Sequence, residues 1–286
     1  MTLDYDRLIS WTGTREAEVT ADAAILYALG VGLGADPTDR AELAFLDERA
    51  LSVLPTMAMV LGVRPDYLTD PAYGVDLKTM LHGESGLVLH RPIPSGRRIK
   101  AEARIERILD RGAEKGAATY FANTIVDAET GTLIAETSGC FIMRGNGGFG
   151  GPSGPAPASA PVPDRAPDLS LDIPTLPQAG LIYRLSGDRN PLHIDPDLAR
   201  KVGFQRPILH GLAVFGIAGH GVLKLLCDHD PARFKALRLR YSAPIYPGET
   251  IRLDLFRLQP GHYALRCTAL GRDVVVLNNG QVEVVE

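Results

Sequence analysis

Eight stretches of the chain combine β-branched or aromatic residues with turn residues at their ends, a pattern typical of β-strands. The turns carry Pro-Ser-Gly and Ala-Glu-Thr-Gly in the first half, and Pro-Gly-Glu and Gln-Pro-Gly-His in the second. Strands that follow one another through short turns favour an antiparallel sheet. The predicted strands are residues 85–92, 97–109, 116–128, 132–143, 235–243, 249–258, 262–270 and 273–285.

Two further segments precede each set of strands. A helical pattern covers residues 21–32 in the first half and 176–186 in the second, and a second apolar segment covers 51–63 and 208–227. One long helix must cover the apolar face of each sheet. We therefore predict an α+β fold of two units, each an antiparallel sheet wrapped around a long helix, whose sheets pair edge to edge.

The two predicted units resemble each other in sequence. Residues 92–99 read PIPSGRRI and residues 244–251 read PIYPGETI, so both fit the frame P-I-x-x-G-x-x-I at an offset of 152 residues. Pro55 and Pro207 share this offset, and each precedes an apolar run. A repeated match at one offset indicates an internal duplication.

A segment rich in glycine and proline separates the two units. Residues 145–165 read GNGGFGGPSGPAPASAPVPDR, a composition in which neither a helix nor a central strand is stable. A surface loop inside one domain is the alternative, but a linker is the better interpretation. We predict a first repeat over residues 1–144, a linker over 145–170 and a second repeat over 171–286.

Composition and charge exclude several classes of protein. Of the 286 residues, 45% are hydrophobic and 22% are charged, which excludes a disordered chain, a collagen and a coiled coil. The net charge of −4 leaves no basic excess to neutralise phosphates, so we expect no nucleic-acid partner. No stretch approaches the ~20 apolar residues of a membrane span, so we expect no membrane partner either.

The cysteines point to a reducing compartment. Cys140, Cys227 and Cys267 are odd in number and show no C-x-x-C spacing, which argues against a disulfide framework and a cysteine-rich zinc site. The first residues show no apolar signal-peptide core, and the last residues form no obvious targeting signal. We therefore expect a cytoplasmic protein.

A carboxylate and an imidazole lie close together in the second repeat. Asp188, Asn190 and His193 fall on a segment that a glycine and a proline interrupt, so they lie on a turn or loop. A carboxylate beside an imidazole can hold one water and act as an acid/base pair. Turn-capping roles for the first two residues and a core role for the histidine are the alternatives. A metal site with His193, Asp195 and Asp197 lacks further ligands, and we predict none.

A glycine stands where the apolar run of the second repeat begins. If a helix starts at Gly211, its main-chain N–H has no acceptor within the helix and lies at the positive end of the helix dipole. Such a donor can hold a carbonyl oxygen that gains negative charge during a reaction. Close packing of a helix against a sheet is the alternative role of this glycine.

These motifs resemble those of a known family. The strings YRLSGDRNPLHIDPDLA and GFQRPILHGL, together with LHGE in the first repeat and YPG after the later proline frame, are similar to the MaoC-like hydratases. More narrowly, they resemble the two-repeat (R)-specific enoyl-CoA hydratases, also called hydratase 2. The resemblance spans nearly the whole chain and implies a double hot-dog fold.

The resemblance implies catalytic roles for four residues. The aspartate and the histidine of the motif hold and activate the water, and these are Asp188 and His193. The asparagine, Asn190, supports the substrate and the geometry of the pair. The glycine, Gly211, donates its N–H to the thioester oxygen.

The resemblance also implies a set of substrate-binding residues. His82 and Gly83 line the acyl-CoA site, Arg111 contacts the CoA moiety, and Tyr241 lies against the ligand.

The first repeat lacks this chemistry. At the offset of 152, His193 corresponds to Ala41 and Gly211 to Met59, so the first copy has neither the imidazole nor the glycine. We predict one active site per chain, built on the second repeat, and a first repeat that opens space for a long acyl tail.

The implied reaction is the reversible hydration of a trans-2-enoyl-CoA to a (3R)-3-hydroxyacyl-CoA, with no cofactor besides the CoA of the substrate. The family usually forms homodimers, and its eukaryotic members are peroxisomal. Three alternatives remain open at this point. They are a dehydratase for a branched, dicarboxylic or steroid-derived CoA ester, a thioesterase, and a non-catalytic acyl-CoA-binding subunit.

Overall fold

Ten antiparallel strands form a single sheet in the computed structural model, which describes residues 2–157 and 161–286, apart from the side chain of Lys78. The strands are β1 (Thr12–Glu18), β2 (Met80–Leu89), β3 (Arg98–Asp110), β4 (Ala117–Asp127), β5 (Leu133–Met143), β6 (Leu169–Pro174), β7 (Phe234–Tyr241), β8 (Thr250–Gln259), β9 (His262–Ala269) and β10 (Val274–Val284). Their order is β1-β3-β4-β5-β2-β7-β10-β9-β8-β6, so the two halves have the same internal order in opposite directions. The eight strands predicted from the sequence are all present.

The two halves meet at one pair of strands. β2 and β7 are antiparallel neighbours, with Glu84 opposite Arg240 and Val88 opposite Ala236. Gly86 faces Arg238, which is its own counterpart at the offset of 152. The pseudo-twofold axis of the duplication therefore passes through this pair. The predicted edge-to-edge pairing of two α+β units, the double hot dog, is confirmed.

One long helix lies at the centre of the molecule. The helices are α1 (Tyr5–Ile9), α2 (Ala21–Gly30), α3 (Arg40–Leu43), α4 (Ala58–Leu61), α5 (Ala179–Tyr183), α6 (Pro196–Lys201) and α7 (Gly211–Leu226). Most residues of α7 are buried, so this helix is apolar nearly all round, as expected of a core helix. The predictions of helices over 21–32, 176–186 and 208–227 are confirmed, although α5 is short and continues as a 3₁₀ turn, Arg184–Ser186. None of the helices in the described ranges is both long and apolar enough to cross a membrane.

The prediction of a long helix in the first half is wrong. Residues 51–63 form a 3₁₀ turn, Pro55–Met57, followed by the four-residue helix α4. The chain becomes extended at Gly62, which together with the following Pro65 leaves too few residues for a core helix. Instead, the first half packs against two glycines of α7. A Cβ on Gly216 would collide with Val31, and a Cβ on Gly219 would collide with Thr56. The single long helix therefore serves both halves of the sheet.

The two strands at the edges of the sheet were not predicted from the sequence. β1 pairs only with β3, and β6 pairs only with β8. In β1 every second residue is exposed and polar, and in β6 four of the six residues are exposed, which weakens the apolar alternation by which strands are recognised. β6 begins at Leu169, inside the predicted linker, whose end at residue 170 stays a prediction.

A buried carboxylate fastens the first half to the far end of α7. The side chain of Glu42 on α3 is only 6% exposed and accepts hydrogen bonds from the N–H of Gly34 at 2.9 Å and from Lys224 Nζ at 2.9 Å. His220 Nε2 lies 3.2 Å from the same carboxylate. These partners, His220 first among them, lower the pKa of Glu42 to about 2. The charged form is therefore the one that the fold stabilises.

Glu42→Gln is expected to lower the free energy of unfolding at pH 7 by roughly 1.5–3 kcal/mol, because a neutral amide binds Lys224 and His220 more weakly than the carboxylate does. Because the folded-state pKa lies below the unfolded one, this contribution is complete above the ordinary pKa of a glutamate and is lost as the pH falls towards 2. Urea unfolding at several pH values measures it. Glu102→Gln, on an exposed residue of β3, is the control and should change little. Equal stability of Glu42→Gln and the unmodified chain would contradict the assignment.

Candidate active site

The loop between α5 and α6 carries the predicted acid/base residues. Gly187 adopts φ 126°, where a side chain is strained, and a Cβ there would also meet the guanidinium of Arg64. The chain then turns: Asp188 Oδ1 accepts the N–H of Asn190, and Asn190 Oδ1 accepts the N–H of Leu192. Both side chains therefore cap turns, as the alternative interpretation held. The side-chain oxygen of Asn190 is therefore used within the turn.

The hydrogen bond of His193 to the main chain defines which of its ring nitrogens carries the proton. Its Nδ1 lies 2.8 Å from the carbonyl oxygen of Ile208, which is only an acceptor, so Nδ1 carries the proton and Nε2 has a free lone pair. Nε2 lies 4.0 Å from Asp188 Oδ2. His193 is 9% exposed and Asp188 is 50% exposed, so the pair spans the border between interior and solvent. Burial lowers the pKa of His193, which favours the neutral ring.

The start of α7 lies beside this pair. The first intrahelical bond joins the N–H of Val214 to the carbonyl of His210, and no side chain caps the helix. The N–H of Gly211 thus has no acceptor within the helix and lies at the positive end of a 16-residue dipole. A Cβ on Gly211 would lie 3.4 Å from Tyr241 Cε1 and 3.7 Å from His82 Nδ1.

The two central strands place three polar side chains around the helix start. Tyr241 on β7 donates its hydroxyl to Ser85 Oγ on β2 at 3.0 Å, and His82 Nε2 lies 3.1 Å from the same oxygen. The rings of His82 and Tyr241 are 5.0 Å apart. Burial lowers the pKa of His82 to about 4, so this ring is neutral near pH 7. Ser85 escaped the sequence analysis because an isolated serine in a strand carries no signal.

A cavity of about 180 Å³ opens next to these residues. Among its lining residues are Gly83, Arg111 and Tyr241, three of the four predicted substrate-binding residues, and also Arg240. Arg240 forms an ion pair with Glu84 across the junction of the two halves, with Nη2 and Oε1 3.0 Å apart. The cavity thus combines an apolar wall with two guanidinium groups. The sequence analysis missed Arg240, whose position is fixed only by the pairing of β2 with β7.

Part of the predicted linker forms another wall of this cavity. Gly154 and Ala156 line it. The carboxylate of Asp110 at the end of β3 accepts the N–H groups of Gly148 and Gly150, each at 2.8 Å. Glycines suit this role, because their main chain can approach a carboxylate closely. This part of the segment is therefore anchored to the first half.

Three donor groups could reach one cation within the described residues. They belong to Asp188, His193 and His210, whose ligand atoms lie within 4.8 Å of one another. The two imidazole rings are stacked, however, with centroids 3.7 Å apart and planes 28° apart, so their in-plane lone pairs run side by side and do not converge. The metal site considered from the sequence is not assembled, because Asp195 caps α6 and Asp197 pairs with Arg200.

Two family models match the chain. A model described as the MFE-2 hydratase 2 N-terminal domain matches residues 18–145, and a model described as a MaoC like domain matches residues 158–260. The first match lies in the half with the four-residue helix α4, and the second includes the acid/base loop and α7.

Relatives of known sequence or structure are similar over most of their length. 3-Hydroxyacyl-thioester dehydratase Y of Mycobacterium tuberculosis is 37% identical, over 100% of this chain and 99% of that protein. Enoyl-CoA hydratase ChsH3 of the same organism is 36% identical, over 87% of this chain and 84% of that protein. The crystal structure of a MaoC-like dehydratase from Phytophthora capsici is 27% identical and matches with a TM-score of 0.85, over 99% of this chain and 98% of that one.

The family predicted from the motifs is confirmed by these matches. Both halves of the chain match the corresponding family models, and the relatives align with the fold from end to end. With 37% identity to a relative over its full length, the protein belongs to the MaoC-like hydratase 2 family.

Proposed function

We propose that the protein hydrates a trans-2-enoyl-CoA to the (3R)-3-hydroxyacyl-CoA and catalyses the reverse dehydration. The observation that carries this proposal is the 4.0 Å separation of Asp188 Oδ2 and His193 Nε2, two hydrogen-bond acceptors that face each other. Two acceptors at that distance cannot bond to each other, but one water can donate a hydrogen to each. Relatives named enoyl-CoA hydratase and 3-hydroxyacyl-thioester dehydratase support the same reaction.

The water held by the pair is the nucleophile. Both of its hydrogens point to acceptors, which leaves an oxygen lone pair free to attack C3 of the enoyl group. As the C3–O bond forms, the C2–C3 double bond becomes an enolate and negative charge moves to the thioester oxygen. The pair takes one proton from the water and returns a proton to C2, so one H and one OH are added in total.

The N–H of Gly211 stabilises the enolate. This donor is free of intrahelical partners and carries the partial positive charge of α7. His82 and Tyr241 lie against it from the central strands and exclude bulk water from the thioester. Both side chains are neutral near pH 7, since burial also raises the pKa of Tyr241. They therefore add no charge that would compete with the enolate.

The cavity between the halves binds the CoA moiety. Arg111 supplies a positive charge for phosphate groups, Arg240 adds N–H donors while paired with the Glu84 carboxylate, and Gly83 and Tyr241 line the path towards the acid/base pair. Asn190 supports the loop that holds the pair, through the bond to Leu192. The reaction needs no cofactor besides the CoA of the substrate.

The wider context of the protein follows from the family resemblance. The chain carries one active site, in the second repeat. It forms a homodimer, and light scattering after size-exclusion chromatography tests this oligomeric state. The first repeat, which lacks a long helix in the described residues, accommodates the acyl tail. The cysteines are free and buried, which fits the cytoplasm or, in a eukaryote, the peroxisome.

Hydration of crotonyl-CoA by the purified protein, followed through the loss of enoyl absorbance, tests the proposal. Product consumption by a D-3-hydroxyacyl-CoA dehydrogenase is expected, whereas consumption by the L-specific enzyme would contradict the (R) assignment. The acyl preference is defined by comparing kcat/KM for enoyl-CoAs of increasing chain length, for a branched ester and for a steroid-derived ester. Release of free CoA thiol instead of hydration would identify a thioesterase, and binding without turnover a non-catalytic subunit.

A further inference from the structure

His210 is a buried histidine beside the acid/base pair to which the reaction assigns no step. It is 1% exposed, directly precedes α7, and its ring is stacked on that of His193. We infer that His210 is a positioning residue: its Nε2–H holds Asp188 through the main-chain carbonyl, and its ring face shields His193 from water. This inference rests on the proposed hydration reaction and adds a residue to it.

The hydrogen bond fixes the position of the carboxylate. His210 Nε2 lies 3.1 Å from the carbonyl oxygen of Asp188, which can only accept, so Nε2 carries the proton. Asp188 Oδ1 also accepts the N–H of Asn190, which is a bond within the turn itself. Asp188 is half exposed, and burial alone does not hold it. The bond from His210 therefore contributes to the 4.0 Å spacing between Asp188 and His193.

The ring of His210 stacks on the base and remains neutral. Its centroid lies 3.7 Å from that of His193 and 5.1 Å from that of Tyr183. The ring of His210 therefore lies between the rings of His193 and Tyr183. Within the described residues its Nδ1 has no hydrogen-bond partner, so a second proton would create a buried, unpaired N–H. Burial accordingly lowers the pKa of His210 to about 4. Because the ring of His210 is neutral, it does not repel the positive charge that His193 gains when it takes a proton during turnover.

The charges near the two rings are few. The charge of Asp188 acts on the rings of His82, His193 and His210, and that of Arg184 acts on His210. The guanidinium of Arg64 packs against Gly187, next to Asp188 in the chain. Burial is the largest cause of the lowered pKa of His193. Loss of the stacked ring would admit water and return this pKa towards the ordinary value of a histidine.

Two substitutions separate the two parts of the role. His210→Phe keeps a ring against His193 and removes the donor, whereas His210→Gln keeps a side-chain N–H near the position of Nε2 and removes the ring. We expect His210→Phe to lower kcat by about 10–100-fold because the carboxylate loses its position, with KM within a few-fold and the acid limb of the pH profile in place. We expect His210→Gln to move the acid limb of kcat/KM to higher pH. His90→Phe, on an exposed histidine of the loop after β2, is the control.

Nitrogen NMR of the histidine rings gives a readout that does not need activity. In the unmodified protein His210 should show the Nε2–H tautomer, and His193 should titrate at a higher pH in His210→Gln than in the unmodified protein or in His210→Phe. An Nδ1–H tautomer of His210, or an unchanged titration of His193 in His210→Gln, would overturn the inference. So would a kcat of folded His210→Phe within two-fold of the unmodified enzyme. An inactive unmodified protein would instead refute the proposed function, while the NMR result still decides the structural role.

Discussion

Asp188→Asn is expected to lower kcat for enoyl-CoA hydration by a factor of about 10²–10⁴ while the protein stays folded. The amide has the shape of the carboxylate but cannot take a proton, and if its NH₂ group faces the water it donates where an acceptor is needed. His193→Asn should have an effect of similar size, since asparagine keeps a donor near the position of Nδ1 for the Ile208 carbonyl and lacks Nε2. Steady-state kinetics with crotonyl-CoA measure both variants.

The same loop provides a matched control for the carboxylate. Asp195 lies two residues after His193 and caps α6 through the N–H groups of Asp197 and Leu198. Asparagine caps helices as well as aspartate does, so Asp195→Asn should retain both stability and kcat. Full activity of Asp188→Asn, or an equal loss in Asp195→Asn, would remove the basis for assigning the pair.

Gly211→Pro is expected to lower kcat by about 10²–10³-fold, because it removes the N–H that we propose stabilises the enolate. The substitution suits the main chain: proline is favoured at the first position of a helix, and His210 has φ −58° and ψ 138°, the conformation that a residue before proline prefers. The pyrrolidine ring would also occupy part of the space in front of the lost donor. Thermal unfolding checks that the helix still forms.

Gly211→Ala separates the donor from the missing side chain. The added Cβ would be in ordinary contact with Tyr241 and His82, at 3.4 and 3.7 Å, and the N–H would remain. We therefore expect a much smaller loss of kcat than in Gly211→Pro. Equal losses in the two variants would mean that this glycine provides space and not a hydrogen bond.

The candidate site combines residues from both halves of the duplicated chain. The acid/base loop and α7 belong to the second half, whereas His82, Ser85 and Arg111 come from the first. The halves are locked together by the pairing of β2 with β7 and by Glu42 at the far end of α7. Stability of the junction is therefore a condition for the geometry of the site.

Local sequence patterns were sufficient for most of the elements. The eight inner strands, α2 and α7 follow from apolar spacing and turn residues, because these signals arise between residues a few positions apart. The motif around Asp188 and His193 likewise predicted a turn that carries a carboxylate and an imidazole. The offset of 152 predicted the pseudo-symmetry that the pairing of Gly86 with Arg238 displays.

Other features depend on contacts between residues far apart in the chain. Only packing brings the Ile208 carbonyl to His193 and so sets the tautomer of the base, and only packing stacks His210 on that ring. The close approach of α7 to the first half likewise depends on Gly216 and Gly219, which contact residues more than 150 positions away in the chain. Periodicity in a sequence reports which face of an element is apolar, but not which distant element covers it. The amino-acid sequence therefore determined the local elements and the candidate residues. The tertiary structure decided the tautomer of His193, its distance from Asp188 and the packing of both halves against α7.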